Sequence, residues 1–194
     1  MTMERSKLSD GIGILVDFDS KKWLYIPMAL PEGYSSPKKW AWEKSVEISE
    51  DKGLDQEAAM SICRYLERLA ESSNEFEHRF VLLEEIGEHI MNVTIMFDMN
   101  EDGSIELSSL LPNEEGDESM VPFFSENLGT GLKAFRNITK KRIFRDDYSL
   151  WQYRYAFVKG ELAITVHASY EDREFLVRHE EDIDYLIKSV IAVA

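Results

Sequence analysis

The sequence predicts an α/β protein of the α+β type, a mainly antiparallel sheet sandwiched between helices in three layers, and three observations carry that expectation. Residues 151 to 168 alternate as two strands about a tight turn, W-Q-Y-R-Y-A-F-V and then E-L-A-I-T-V-H-A. Segments 79 to 84 and 89 to 97 are apolar on both faces, as strands covered from both sides are. Helical three-and-four spacing sets single apolar stripes at Ala59, Ile62, Cys63, Leu66, Leu69 and Ala70, and at Ile183, Leu186, Ile187, Val190 and Ile191.

Taken in order, residues 12 to 17 and 22 to 28 alternate enough to be two opening strands joined by a polar Asp-Ser-Lys turn. Pro31-Glu-Gly33 ends that run. Ser36 as N-cap and Pro37 at the first helical position start a helix to about Glu50, before Gly53 stops it, and Asp55 caps a second helix at once. From His78 the period changes to two. Phe80 and Leu82 oppose Val81 and Leu83, and Met91, Val93, Ile95 and Phe97 oppose Ile90 and Met96. Gly103 turns the chain toward Ile105 to Leu111, an acidic loop follows to Glu118, and one or two further strands fall between Gly129 and Arg145.

A two-residue turn at Lys159-Gly160 would set Val158 opposite Glu161, and hence Phe157 with Leu162, Tyr155 with Ile164, Tyr153 with Val166 and Trp151 with Ala168, all on one face. The other face would pair Ala156 with Ala163, Arg154 with Thr165 and Gln152 with His167. The closing helix is expected to lie over the aromatic row.

The 194 residues suit one domain, 1–194, with 1–10 flexible. A net charge of −15 opposes nonspecific attraction to nucleic acid and to anionic membranes. Cys63 sits in the apolar row of its helix, which reads as a core thiol and suits a reducing compartment. The run Ile12 to Val16 is too short for a signal core before Asp17, and no segment approaches the roughly 18 apolar residues of a spanning helix. A cytoplasmic location is expected.

The strand-strand-helix close, Tyr153 to Phe157, Leu162 to Ala168 and the terminal D-I-D-Y-L-I-K-S-V, resembles the PsbP-like superfamily. The similarity covers about 45 residues and otherwise follows element order, with no diagnostic motif. It implies an α/β/α sandwich and binding roles more than catalysis, and it transfers no functional residue.

Candidate sites each face a plainer explanation. Asp98, Asn100 and Asp102, with Gly103, follow the opening of a calcium loop, but the twelfth position is Ser109 where a bidentate glutamate is needed, and flanking alternation favours a turn. Residues 98 to 118 hold eight acids and no Lys or Arg, while 133 to 145 hold six bases and no acid. Solvated strands account for this; the sharper reading makes Lys140, Lys141 and Arg142 a partner-docking face. Trp40 and Trp42, two apart on a helix, point in directions about 200° apart, so one is exposed as an interface anchor or wedged under a loop. His179-Glu180-Glu181-Asp182 lacks the second histidine of a zinc-protease helix, and its acids suit a helix N-terminus. Gly129-Thr-Gly131-Leu-Lys133 is not a phosphate loop.

These features favour a non-enzymatic binding or regulatory module with an unidentified protein partner and no cofactor. One alternative is an acidic inhibitor or immunity-type protein covering a basic target. Another is a small-molecule enzyme or carrier whose pocket lies between sheet and helix near Arg154 and His167.

Overall fold

A computed structural model describes residues 2–7, 13–72, 75–111, 117–140 and 148–193. The protein is mixed α/β with a seven-stranded antiparallel sheet, and the chain divides into two compact units, 19–92 and 1–18 with 93–194. Among the described residues no helix is long and apolar enough to cross a membrane.

Unit 19–92 is a two-helix insertion between paired strands. Strand β3 (Trp23–Ile26) runs antiparallel to β4 (Glu77–Leu82), Trp23 opposite Leu82. Between them lie α1 (Pro37–Lys52) and α2 (Gln56–Glu71). The caps are those the sequence indicates: Ser36 Oγ accepts from Lys39 N–H at 3.2 Å and Asp55 Oδ1 from Ala58 N–H at 2.9 Å. Gly53 ends α1 at a φ of 65°, where a residue with a Cβ would be strained. Trp40, Ile48, Ile62, Cys63 and Leu66 pack with Ile26 and Val81 into one cluster. Arg79 donates to the carbonyls of Leu69 and Ser72 at 2.8 and 3.0 Å, so a strand arginine satisfies the open end of α2.

The other unit holds the aromatic hairpin. Strands β5 (Asn92–Met99), β9 (Leu162–Tyr170), β8 (Tyr148–Lys159), β7 (Gly129–Lys140) and β6 (Asp117–Ser125) follow in that spatial order. A second sheet joins β1 (Thr2–Lys7), β2 (Gly13–Phe18) and β10 (Val190–Val193). Helices α3 (Leu107–Leu110), α4 (Arg173–Arg178) and α5 (Glu180–Lys188) complete it.

Several expectations are corrected. The hairpin turn falls at Gly160-Glu161, so Tyr155 meets Val166, Tyr153 meets Ala168 and Arg154 meets His167, each partner two residues further on. Two-residue hairpin turns need a positive φ at their first central position, and Gly160 supplies it at 58° where Lys159 would be strained. A shift of two keeps every side chain on its face. Tyr153, Tyr155 and Phe157 are accordingly buried, and two carboxylates of α5 bond the tyrosine hydroxyls, so the last helix does cover the aromatic row.

That helix stops earlier than its apolar period suggests. Ser189 closes α5 by donating from N–H and Oγ to Leu186 O at 3.2 and 2.6 Å. Val190 then stands opposite Val16 in β10, since β-branched residues pack better on a pleated strand. Residues 2–7 form β1, with Thr2 opposite Phe18. The two opening strands do form, as β2 and β3 joined by a turn in which Lys22 and Trp23 N–H donate to Asp19 O at 3.0 and 2.9 Å, and each pairs elsewhere, β2 with β1 and β10 and β3 with β4. Beyond Gly103 the chain enters α3, and part of the expected acidic loop is the start of β6.

Candidate functional site

Antiparallel register decides which side chains meet. Lys133 stands opposite Tyr155 and Phe135 opposite Tyr153, while β6 places Val121 opposite Lys133. Partners directly across share a face, so these groups join the aromatic row. Glycine at 131 lets the rings close up: a Cβ there would lie 2.5 Å from the Phe157 ring and 2.3 Å from Ala156 O. Phe123, on the same face of β6, meets Tyr155 edge-on with centroids 5.1 Å apart.

Helix α5 brings two acids to this face. Glu180 and Asp184 are four residues apart, one turn, and therefore project together. Lys133 Nζ donates to Glu180 Oε1 at 2.5 Å and to both Asp184 oxygens at 2.7 and 2.9 Å. Tyr153 donates to Glu180 Oε2 at 2.8 Å, and Tyr155 to Asp184 Oδ1 at 2.5 Å. The ammonium also lies 4.8 to 5.8 Å from the ring centroids of Tyr153, Tyr155 and Phe123. Five side chains from two strands and a helix thus form one closed network.

The electrostatics follow from this packing. Burial raises both phenol pKa values, and the acceptor carboxylates raise them further, so the hydroxyls stay protonated as donors. Burial works to raise the Glu180 carboxyl, but hydrogen bonds from Lys133 and Tyr153 and the Lys133 charge outweigh it and hold the group below its ordinary value.

Above the network opens a cleft of about 480 Å³. Val121 and Phe123 of β6, Phe135, Tyr153, and Val177 of α4 form its walls, with Lys133 and Glu180 at the floor and Arg173 alongside. Asp172 starts α4 by accepting from Glu174 and Phe175 N–H at 2.8 and 3.3 Å, which places Arg173 over Phe135 and Trp151, 5.4 and 5.2 Å from their centroids. Those two rings stack at 5.5 Å and 16°.

The residues singled out from the sequence fall elsewhere. Arg154 and His167 do come together, directly opposite in the ladder, but on the sheet face away from the cleft. Asn100 Oδ1 accepts from Ile105 N–H at 2.8 Å and Asp102 Oδ1 from Ser104 N–H at 3.0 Å, so both brace the turn in which Gly103 has a φ of 66°; Asp98 Oδ1 accepts from Met99 N–H at 2.8 Å. Trp40 is 2% exposed and Trp42 48%, as the helical angle requires. Lys141 and Arg142 lie outside the described residues, and of Lys140 only its backbone place at the end of β7 is described. The basic strip is not one face: Lys133 turns into the network, while Arg136, three positions on, points to the opposite face and donates to Gln152 Oε1 at 2.9 Å.

The network itself was not foreseen, although a signal existed. Two tyrosines on the buried face of a strand need acceptors for their hydroxyls, and acids spaced by four on the covering helix can supply them. His179 Nδ1 lies 3.0 Å from Asp182 Oδ2. No protein-family model matches the chain, and a search of curated proteins finds no match.

Proposed function

We propose that the protein is a non-catalytic binding module whose site is the cleft between β6, β7, β8 and the helices α4 and α5. The observation that carries this reading is the closure of the floor. All three Lys133 donor hydrogens have carboxylate acceptors within 2.9 Å, and both tyrosine hydroxyls are spent on the same carboxylates. Such groups hold a wall rigid; a general base or nucleophile would need a lone pair or proton directed at a substrate. The walls meanwhile present apolar surface, with Val121 47% exposed. The resemblance to the PsbP-like superfamily supports the same reading, and a three-layer arrangement with helices on both sheet faces belongs to the proposal.

A thermal-shift screen of metabolites against wild type and Val177→Asp tests it. A ligand at a hundred times its Kd contributes about 2.7 kcal/mol, which raises Tm by roughly 5 to 10 °C in a chain of this size. Stabilisation of wild type that Val177→Asp abolishes supports the cleft; stabilisation that the variant retains refutes it. A second reading, a docked protein partner in a cytoplasmic complex, is favoured by Met120 and Phe124, which are exposed on the other face of β6.

A further inference from the structure

The side chains at the cleft floor have acceptor positions to spare and no donors. Lys133 Nζ spends its three hydrogens on Glu180 and Asp184, and Tyr153 and Tyr155 spend their hydroxyl hydrogens on the same two carboxylates. A carboxylate presents about four acceptor positions, and Glu180 receives one donor on each oxygen, from Lys133 and from Tyr153. Half-buried and lining the cleft, it keeps the remainder for another donor. Charge points the same way. One ammonium stands between two carboxylates, so the network carries a single excess negative charge.

Resting on the reading of the cleft as a binding site, we propose that its ligand is an uncharged molecule, an apolar body carrying a hydroxyl or N–H group that donates to Glu180. An anion would be desolvated against a floor of net negative charge whose donors are all spent. A cation would seek the ring faces, and the protein's own cations hold them: Lys133 lies 4.8 and 5.8 Å from the centroids of Tyr153 and Phe123, and Arg173 5.4 Å from that of Phe135. A neutral donor meets neither obstacle. Its apolar body rests on Val121, Phe123, Phe135 and Val177, in a volume of about 480 Å³ that lies within the usual range for small-molecule sites. Glu180 accepts the hydrogen bond without abstracting the proton. Against the pull of burial, the hydrogen bonds from Lys133 and Tyr153 hold its carboxyl below the ordinary value, which makes it a poor base toward a hydroxyl.

Nuclear magnetic resonance titration of the full chain at neutral pH with 4-phenylbutan-1-ol, its methyl ether, 4-phenylbutyrate and 4-phenylbutylamine tests the assignment. The alcohol is expected to bind about tenfold more tightly than the ether, which keeps the body and loses the donor, the gain of a hydrogen bond to a charged acceptor. Both ions should bind more weakly than the alcohol. Glu180→Ala leaves Lys133 paired with Asp184, and should bring the alcohol down to the affinity of the ether while the ether binds as it does to wild type. The comparison of the four probes on wild type stands whether or not that variant folds. Ether binding as tight as the alcohol overturns the proposal, as does either ion binding as tightly as the alcohol, or the absence of binding by all four. An ion that binds most tightly and is lost in Val177→Asp overturns only the uncharged ligand and leaves the cleft as the site; alcohol binding that Val177→Asp retains refutes the cleft itself.

Discussion

Replacing Lys133 by methionine removes one ammonium from between two carboxylates while keeping most of the apolar stem in place. The side chain is 9% exposed, and its partners Glu180 and Asp184 are 38% and 22% exposed. Removing one member of a buried ion pair costs about 3 to 5 kcal/mol, because the other charge is left without compensation. Glu180 reaches water, which screens part of that loss, so the expected destabilisation is about 2 to 3 kcal/mol. Urea unfolding followed by tryptophan fluorescence and circular dichroism measures it, with the midpoint lowered and the slope unchanged. Adding Asp184→Asn to the variant should recover part of the loss, since one of the two facing charges goes. The difference between wild type and variant also depends on pH. The Glu180 carboxyl is held below its ordinary 4.5, so its stabilising contribution is complete above that pH and is lost as pH falls through the lower folded value. The gap should therefore narrow below pH 4.5. A Lys133→Met variant within about 0.5 kcal/mol of wild type at pH 7, the range of an ordinary surface substitution, would refute the reasoning.

Two further outcomes are expected. Gly131→Ala drives a methyl group against the Phe157 ring and the backbone oxygen of Ala156, and because backbone cannot yield as a side chain does, the cost should reach about 2 kcal/mol in denaturant unfolding. Burial lowers the His78 pKa from 6.5 to about 4, so between those values the unfolded chain binds a proton that the folded one refuses. Stability should fall by about 3 kcal/mol across that interval, and a pH series of melting curves for His78→Gln should lack this slope.

Local chemistry was legible where it depends on neighbours in sequence. Ser36-Pro37, Gly53 and Asp55 mark helix ends through contacts three or four residues long, and all hold. The alternation that sends Tyr153, Tyr155 and Phe157 to one face needs only the two-residue period of a strand. Even the misplaced hairpin turn preserved it, since a shift of two residues leaves each face unchanged. Element ends were less readable where a tertiary partner decides them: Val190 continues the apolar stripe of a helix, yet β2 offers it a ladder and it becomes a strand.

The candidate site shows the same division more sharply. Lys133 belongs by sequence to a run of bases that reads as a solvated strand, and Glu180 to a group of acids that suits a helix N-terminus. Glu180 lies 47 positions and Asp184 51 positions beyond Lys133, and only the pairing of β7 with β8 under α5 brings the three together. Sequence by itself determined which side chains share a face, because backbone geometry repeats over a few residues. The fold alone decided which faces meet, because ion pairing and desolvation act across space and are indifferent to separation along the chain.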